Sequence, residues 1–312
     1  MFRFVQKYKN ILKNMKNLFK SLFFILAMTI TCYAQDGYEF FGAIKLNGND
    51  KTIITYRLVF EENKGKISGF SVTDLDGAHE TKNTIEGTYD RKTKLFTFQE
   101  KEILYTKSKY AQSSFCFVNF SGKVKLVDNT SKVEGAFKGL YKNKTKCIDG
   151  TVTLVGSNKI YNFANKVNKK IQKSKRVDAA TKQKVNPIKI LDSLKINKLL
   201  KDQNLNIFWN SKKVIIEIFD AGQDDGDIIN LYHNDVLILD NYKIKLEKKL
   251  LSIPIDLTIN NVFKIKAINE GTIPTNSAKI ILVDENNRTF DLLSSFKKNE
   301  SASITIIKKP SN

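Results

Sequence analysis

The sequence predicts a mainly β protein, with an N-terminal antiparallel domain that is barrel-like or a sandwich, and a C-terminal immunoglobulin-like β-sandwich. Two observations predict the β regions: residues 38–155 and 214–307 consist of short runs of β-branched and aromatic residues, and turn dipeptides separate these runs. Helical spacing of apolar residues between the two regions predicts a lysine-rich, partly helical linker. The predicted parts are a signal peptide at 1–34, the N-terminal β domain at 35–156, the linker at 157–213 and the C-terminal sandwich at 214–312.

Residues 1–34 have the layout of a secretory signal peptide. A leader with six basic residues and no acidic one precedes an apolar core at 21–30, and small residues follow up to Ala34, after which we expect cleavage. The alternative is a membrane anchor, but the apolar run is shorter than the roughly 20 residues that cross a bilayer. No later run is long or apolar enough to cross a membrane. We therefore expect an exported chain with no transmembrane span in its mature form, located in the periplasm, at the outer membrane or outside the cell.

Two of the three cysteines, Cys116 and Cys147, remain in the mature chain if Cys32 leaves with the signal peptide. An even pair in an exported chain predicts one disulfide, here within the N-terminal domain. The alternative is a pair of buried free thiols.

A repeated glycine pattern in 35–156 predicts that the N-terminal sheet curls. Gly69, Gly87 and Gly135 each follow an apolar–polar pair, and an aromatic residue stands just beyond. Glycine weakens the interior of a strand, so its recurrence indicates bends or bulges. A strongly coiled sheet can close into a barrel that holds a small ligand. The alternative is a sandwich with glycines only at its rims.

The segment 157–213 combines helical spacing with most of the positive charge. Apolar residues recur at helical spacing from Ile160 to Ile171 and, after Pro187, from Leu191 to Leu199. Of the formal net charge of +20, this segment supplies +12, from 15 basic and 3 acidic residues. It is either a solvated spacer or a contact for an anionic surface of the envelope. Nucleic acid is not a predicted partner, because arginine is nearly absent and aromatic residues stand only at the ends of the segment.

The C-terminal region, 214–312, contains about nine short apolar runs, and 242–246 and 263–268 alternate strictly between apolar and polar residues. This density of strands is typical of a small antiparallel sandwich of immunoglobulin-like size. The region lacks the Cys…Trp…Cys framework of true immunoglobulin domains.

An acidic loop at 220–227 lies between two strongly apolar runs, and it holds four aspartates: Asp220, Asp224, Asp225 and Asp227. Hard cations such as Ca²⁺ take six to eight oxygen ligands, and aspartates interleaved with glycines can supply them. The loop does not have the register of an EF-hand, because Asp225 stands where that loop requires glycine. The four aspartates are thus candidate ligands of Ca²⁺, and the alternative is a solvated turn. No other cofactor is predicted.

Three phrases in the C-terminal region, 225–234, 239–242 and 267–279, resemble a C-terminal module of uncharacterised secreted proteins from Bacteroidota. The phrases 71–80 and 115–122 resemble the N-terminal region of the same proteins. The resemblance covers both β regions and implies an exported two-domain architecture. It implies no activity, because none is established for those proteins.

Together these features predict an exported, non-catalytic protein that binds or adheres to an envelope or extracellular ligand. No catalytic residue is assigned, because His79 in the acidic stretch 74–80 has no nucleophile or metal-binding motif around it. One alternative is a carrier that holds a small molecule in the N-terminal barrel, which an apolar cavity of several hundred Å³ would favour. A second alternative is an envelope hydrolase with two carboxylates that face each other across a cleft.

Overall fold

The structure of this protein is a computed structural model that describes residues 37–48, 52–220 and 222–309. The predicted signal peptide at 1–34 lies outside these residues. Strands make up 52% of the described residues and helices 12%, which confirms the prediction of a mainly β chain.

Eight antiparallel strands form the N-terminal β region: β1 (Tyr38–Leu46), β2 (Ile53–Asn63), β3 (Lys66–Thr73), β4 (Thr81–Asp90), β5 (Leu95–Thr106), β6 (Phe117–Lys123), β7 (Lys132–Leu140) and β8 (Gly150–Gly156). Their order in the sheet is β5-β4-β3-β2-β1-β8-β7-β6, and β6 pairs again with β5. The sheet is therefore a closed barrel, which confirms the barrel-like form of the fold prediction over the sandwich.

Two glycines explain how the barrel sheet can curl. A Cβ atom at Gly87 would lie 2.0 Å from the carbonyl oxygen of Thr97, and one at Gly69 would lie 2.1 Å from the carbonyl oxygen of Val59. No side chain fits at these distances, so the neighbouring strands can approach so closely only where glycine stands.

Aromatic side chains fill one end of the barrel. Phe96 and Phe98 point inward from the start of β5, and their ring centroids are 5.7 Å apart. Phe60 lies 5.1 Å from Phe96, and Phe120 lies 5.4 Å from Phe98. All four rings are buried, and burial of one such side chain contributes about 1.5–3 kcal/mol. Packed rings fill this end of the barrel, whereas a cavity lies at the opposite end.

Ten further strands follow: β9 (Lys198–Leu199), β10 (Asn204–Trp209), β11 (Lys213–Phe219), β12 (Ile228–His233), β13 (Val236–Lys243), β14 (Lys249–Pro254), β15 (Asn261–Ala267), β16 (Asn276–Val283), β17 (Thr289–Phe296) and β18 (Ser301–Lys308). One set has the order β13-β12-β15-β18-β10, and the other has the order β14-β11-β16-β17-β9. Buried side chains from both sets, among them Trp209, Phe263 and Ile280, form one hydrophobic cluster.

Strand β5 belongs both to the barrel and to the first of these C-terminal sheets. Its end pairs with β10 at Ile207↔Tyr105, so one sheet of 13 strands runs through both β regions. A register shift between Glu100 and Ile103 separates the two parts of β5. Glu100 lies inside the barrel, whereas Tyr105 packs into the C-terminal cluster. A bulge of this kind changes which face of a strand each side chain occupies.

Three helices connect the two β regions: α1 (Ser157–Lys173), α2 (Ala179–Lys184) and α3 (Pro187–Ser193). Helix α1 confirms the helical spacing from Ile160 to Ile171, although Phe163 is 68% exposed. The helical prediction for Leu199 was wrong. This residue lies in β9, because its backbone pairs with Ser294 of β17, and its side chain is fully buried in the C-terminal hydrophobic cluster. The predicted linker thus contains two strands, β9 and β10, that join it to the sheets.

Candidate functional sites

The open end of the barrel contains a cavity of about 460 Å³. Its walls are largely apolar, with Ile44, Ile54, Phe117, Val118, Phe137 and Ile148 among the lining side chains. Polar side chains that include Thr81, Asn83 and Glu100 also line it. The cavity lies at the end formed by the β1–β2, β3–β4, β5–β6 and β7–β8 connections, opposite the aromatic cluster.

Glu100 is the buried carboxyl group of this cavity at 5% exposed, and Asp74 and His79 also line it. Its Oε1 atom accepts hydrogen bonds from the Tyr56 hydroxyl at 2.8 Å and the Ser71 hydroxyl at 2.5 Å. Its Oε2 atom accepts from the backbone N–H of Val118 at 2.7 Å, just beyond the last β5–β6 backbone pair. Burial raises the pKa of Glu100 even though these donors stabilise the carboxylate.

Asn83 stands next to Glu100, lines the same cavity and holds a buried acceptor. Its side chain also takes part in a hydrogen bond with Glu100. The Oδ1 atom of Asn83 is buried and has no hydrogen-bond partner in the described part of the chain. An acceptor left unpaired in this way costs about 1–3 kcal/mol. The cavity therefore combines apolar walls with a buried acceptor and a buried carboxyl group.

The predicted disulfide is present and lies at the open end of the barrel. Cys116, which lines the cavity, is bonded to Cys147, and the two are 31 positions apart. The bond joins the β5–β6 connection to the β7–β8 connection. His79 also lines the cavity, with its ring centroid 6.0 Å from that of Tyr110. The disulfide thus holds together two of the segments that surround the cavity.

Glu100 and Asn83 were missed by the sequence analysis, although β5 carries a signal that could have found Glu100. Phe96, Phe98 and Glu100 alternate along one strand, so they share the face that points into the barrel. A carboxylate in an inward position of an otherwise apolar face is rarely tolerated without a specific role or partner.

The acidic loop joins β11 to β12, and it brings three of its four aspartates together. One carboxylate oxygen from each of Asp220, Asp225 and Asp227 lies within 4.8 Å of the other two. The fourth candidate, Asp224, is not in this group, because its Oδ1 atom pairs with the Lys243 ammonium at 3.3 Å. The burial of Asp220 and Asp227, which are 5% and 1% exposed, is not that of a solvated turn.

Backbone groups of a distant segment hold the end of this loop. The Oδ2 atom of Asp227 accepts from the N–H of Ser277 at 2.6 Å, and the Oδ2 atom of Asp225 accepts from the N–H of Ile273 at 3.2 Å. Burial raises the pKa of Asp227 to about 6, with further contributions from the negative charges of Asp225 and Asp220. The three carboxylates therefore repel one another in a site that is largely shielded from solvent.

Another cavity, of about 380 Å³, is lined by cations from the barrel, from the linker segment 157–213 and from the region that contains β16 and β17: Arg57, Lys82, Lys195, Lys279 and Arg288. All but Lys82 pair with a carboxylate. The Lys82 ammonium lies 3.9 Å from the ring centroid of Phe70, and burial lowers its pKa. The sequence carries most of its positive charge in 157–213 and does not reveal this cleft, because the cations that line it are far apart in the chain.

Within the described ranges, no helix is both long enough and apolar enough to cross a membrane. No protein-family model, curated protein or solved structure matches this chain.

Proposed function

We propose that this chain is an exported, non-catalytic binding protein of the cell envelope, and that it holds a small amphipathic molecule in the open end of its barrel. The cavity of about 460 Å³ carries the proposal, because small-molecule sites typically measure about 300–1,000 Å³ and combine apolar walls with few polar groups. Of the roles predicted from the sequence, this observation favours the carrier over adhesion through surface loops. The hydrolase alternative stays a prediction.

The polar groups of the cavity define the chemistry of the ligand. The unpaired Oδ1 atom of Asn83 requires a hydrogen-bond donor, and the buried carboxyl group of Glu100 lies beside it. A ligand with an apolar body and a hydroxyl or amine at one end would satisfy the acceptor while its body covers the apolar walls. Such a ligand would recover part of the roughly 1–3 kcal/mol that an unpaired buried acceptor costs.

Export is supported by two features of the chain. Residues 1–34 have the layout of a signal peptide, and disulfides such as Cys116–Cys147 persist chiefly in oxidising compartments. The resemblance to secreted proteins of Bacteroidota agrees with this location. The immunoglobulin-like assignment of the C-terminal region is likewise a proposal, which the two sets of strands around one hydrophobic cluster support.

The segment 157–213 is proposed as a contact for an anionic surface of the envelope. Helix α1 presents exposed lysines such as Lys159, Lys166 and Lys169, and no acidic residue lies in its first turn. Retention on anionic vesicles should fall as salt is added, because exposed charges are screened over about 10 Å at 0.1 M ionic strength. Equal retention on neutral vesicles would contradict this contact.

The proposed barrel site can be tested with N-phenyl-1-naphthylamine, an aromatic molecule that has one N–H donor and fluoresces when it leaves water. We expect saturable binding of one molecule per chain. The Ile54→Trp variant should abolish it, because Ile54 is a half-buried lining residue and an indole there would occupy the cavity. Thr153→Trp is the matched control, since Thr153 is exposed on β8 and is not a lining residue.

The two variants separate binding in the cavity from binding elsewhere. The proposal requires that Thr153→Trp bind the probe as the wild type does. If the wild type does not bind it, or if Ile54→Trp binds it equally well, the cavity is not the ligand site.

A further inference from the structure

We propose that Asp220, Asp225 and Asp227 form a site for one divalent cation, and that the ion is Ca²⁺. The site lies in the C-terminal region and is independent of the proposed ligand cavity in the barrel. The set contains only carboxylate oxygens, which are the ligands that hard cations prefer.

Two carboxylate oxygens of this group have no hydrogen-bond partner in the described part of the chain. They are Oδ1 of Asp225 and Oδ1 of Asp227, and both are buried. Asp227 is 1% exposed, so its carboxylate is shielded from bulk solvent. A charged acceptor in this state is strongly unfavourable, and a second carboxylate beside it adds repulsion.

The unpaired oxygens converge on one place, beside Gly271. A Cβ atom at Gly271 would lie 2.7 Å from Oδ1 of Asp225 and 2.9 Å from Oδ1 of Asp227. Glycine therefore keeps this position free of a side chain, and the φ of +59° at Gly271 further favours glycine.

No cationic side chain compensates the three charges. Of the loop aspartates, Asp224 pairs with Lys243, whereas Asp220, Asp225 and Asp227 form no ion pair with a described residue. A metal ion would supply the missing positive charge and would bind the two unpaired oxygens directly.

The ligand set favours Ca²⁺ over Mg²⁺. Mg²⁺ usually keeps several waters and binds one or two carboxylates, whereas Ca²⁺ takes more carboxylate oxygens in a flexible geometry. Three aspartates of one loop each bring an oxygen within 4.8 Å of the other two, which is the kind of set that Ca²⁺ binds. Water would complete the six to eight ligands that Ca²⁺ takes.

The ion would have a structural role. The loop joins strands of the two C-terminal sheets, and its aspartates already accept hydrogen bonds from Ile273 and Ser277, at the start of the β16 region. An ion bound here would therefore fasten the β11–β12 connection to the segment that precedes β16.

The test is calorimetric titration of the chelator-treated chain with CaCl₂, together with its thermal midpoint. We expect one Ca²⁺ per chain and, for a Kd near 10⁻⁴ M, a midpoint about 4 °C higher in about 5 mM CaCl₂. Asp227→Asn should weaken binding at least about tenfold. In chelator this variant should be no less stable than the wild type, because it removes a buried charge while keeping the shape of the side chain.

Asp224→Asn is the matched control, since it makes the same change in the same loop at an aspartate that is turned toward Lys243. Its Ca²⁺ affinity should stay within about twofold of the wild type. The proposal is overturned if the wild type shows no saturable binding up to about 10 mM Ca²⁺, if both variants lose affinity equally, or if Mg²⁺ binds more tightly.

Discussion

Removal of the Cys116–Cys147 bond should destabilise the barrel by an amount that can be calculated from its position in the chain. The perturbation is the double substitution Cys116→Ala/Cys147→Ala, which avoids reducing agents. Because the cysteines are 31 positions apart, the bond closes a loop that contains β6, β7 and the connections around them. Without the bond, the unfolded chain gains the conformations that the closed loop excluded.

The chain-entropy relation for a loop of 31 residues gives about 12 cal/mol/K, or about 3.7 kcal/mol at 25 °C. A cooperative unit of about 270 residues has an unfolding entropy near 0.57 kcal/mol/K. The loss of free energy divided by the unfolding entropy predicts that the thermal midpoint falls by about 6 °C.

Scanning calorimetry of the wild type and the double variant measures this difference, and alkylation under denaturing conditions counts the free thiols. The reasoning is refuted if the two proteins melt within about 1 °C of each other. It also fails if the unreduced wild type takes up two alkyl groups at these positions, because the cysteines would then be free thiols. Thr153→Ala, an exposed change on β8, serves as a control that should leave the midpoint unchanged.

Two further predictions concern the interior and the curvature of the barrel. Because burial raises the pKa of Glu100, the folded chain keeps a proton that the unfolded chain loses above the ordinary carboxyl value of 4.5. Glu100 should therefore lower the free energy of unfolding by up to about 1.4 kcal/mol per pH unit from there until its raised pKa is passed. Denaturant titration from pH 4 to 8 should show a smaller fall for Glu100→Gln than for the wild type, and the fall that remains includes that of Asp227, whose pKa is also raised. Gly87→Ala should destabilise the barrel, because the new Cβ would lie 2.0 Å from the Thr97 carbonyl oxygen. This clash should outweigh the stability that replacing glycine usually adds by reducing the entropy of the unfolded chain. Equal denaturation midpoints for the variant and the wild type would contradict the contact.

The parts of the fold that were predictable are those with local causes. Alternating side chains identified the strands, and the glycines at 69 and 87 indicated the curvature, because a strand that bends or meets its neighbour closely needs glycine at that point. Cys116 and Cys147 could be paired because they are the two cysteines that remain if Cys32 leaves with the predicted signal peptide.

The remaining features of the fold and of the candidate sites depend on contacts between residues that are far apart in the sequence. Nothing near β10 in sequence shows that Ile207 pairs with Tyr105 of the barrel, since a six-residue strand fits many partners equally well. Within the acidic loop, Asp224 is exposed and pairs with Lys243, whereas Asp227 is buried. The backbone turns between them, with φ of +92° at Gly226. The composition predicted a candidate cation site but not which three oxygens would meet.

The position of β18 constrains the order in which this chain can fold. It lies between β10 and β15, and Ile306 of β18 pairs with Ile207 of β10, from a much earlier part of the chain. The barrel strands can all pair once residue 156 is available, but the C-terminal sheet lacks a middle strand until residue 308 has been delivered. A chain that enters a compartment from its N-terminus would thus hold a finished barrel beside an open hydrophobic surface, and the second half could close only in one late, non-local step.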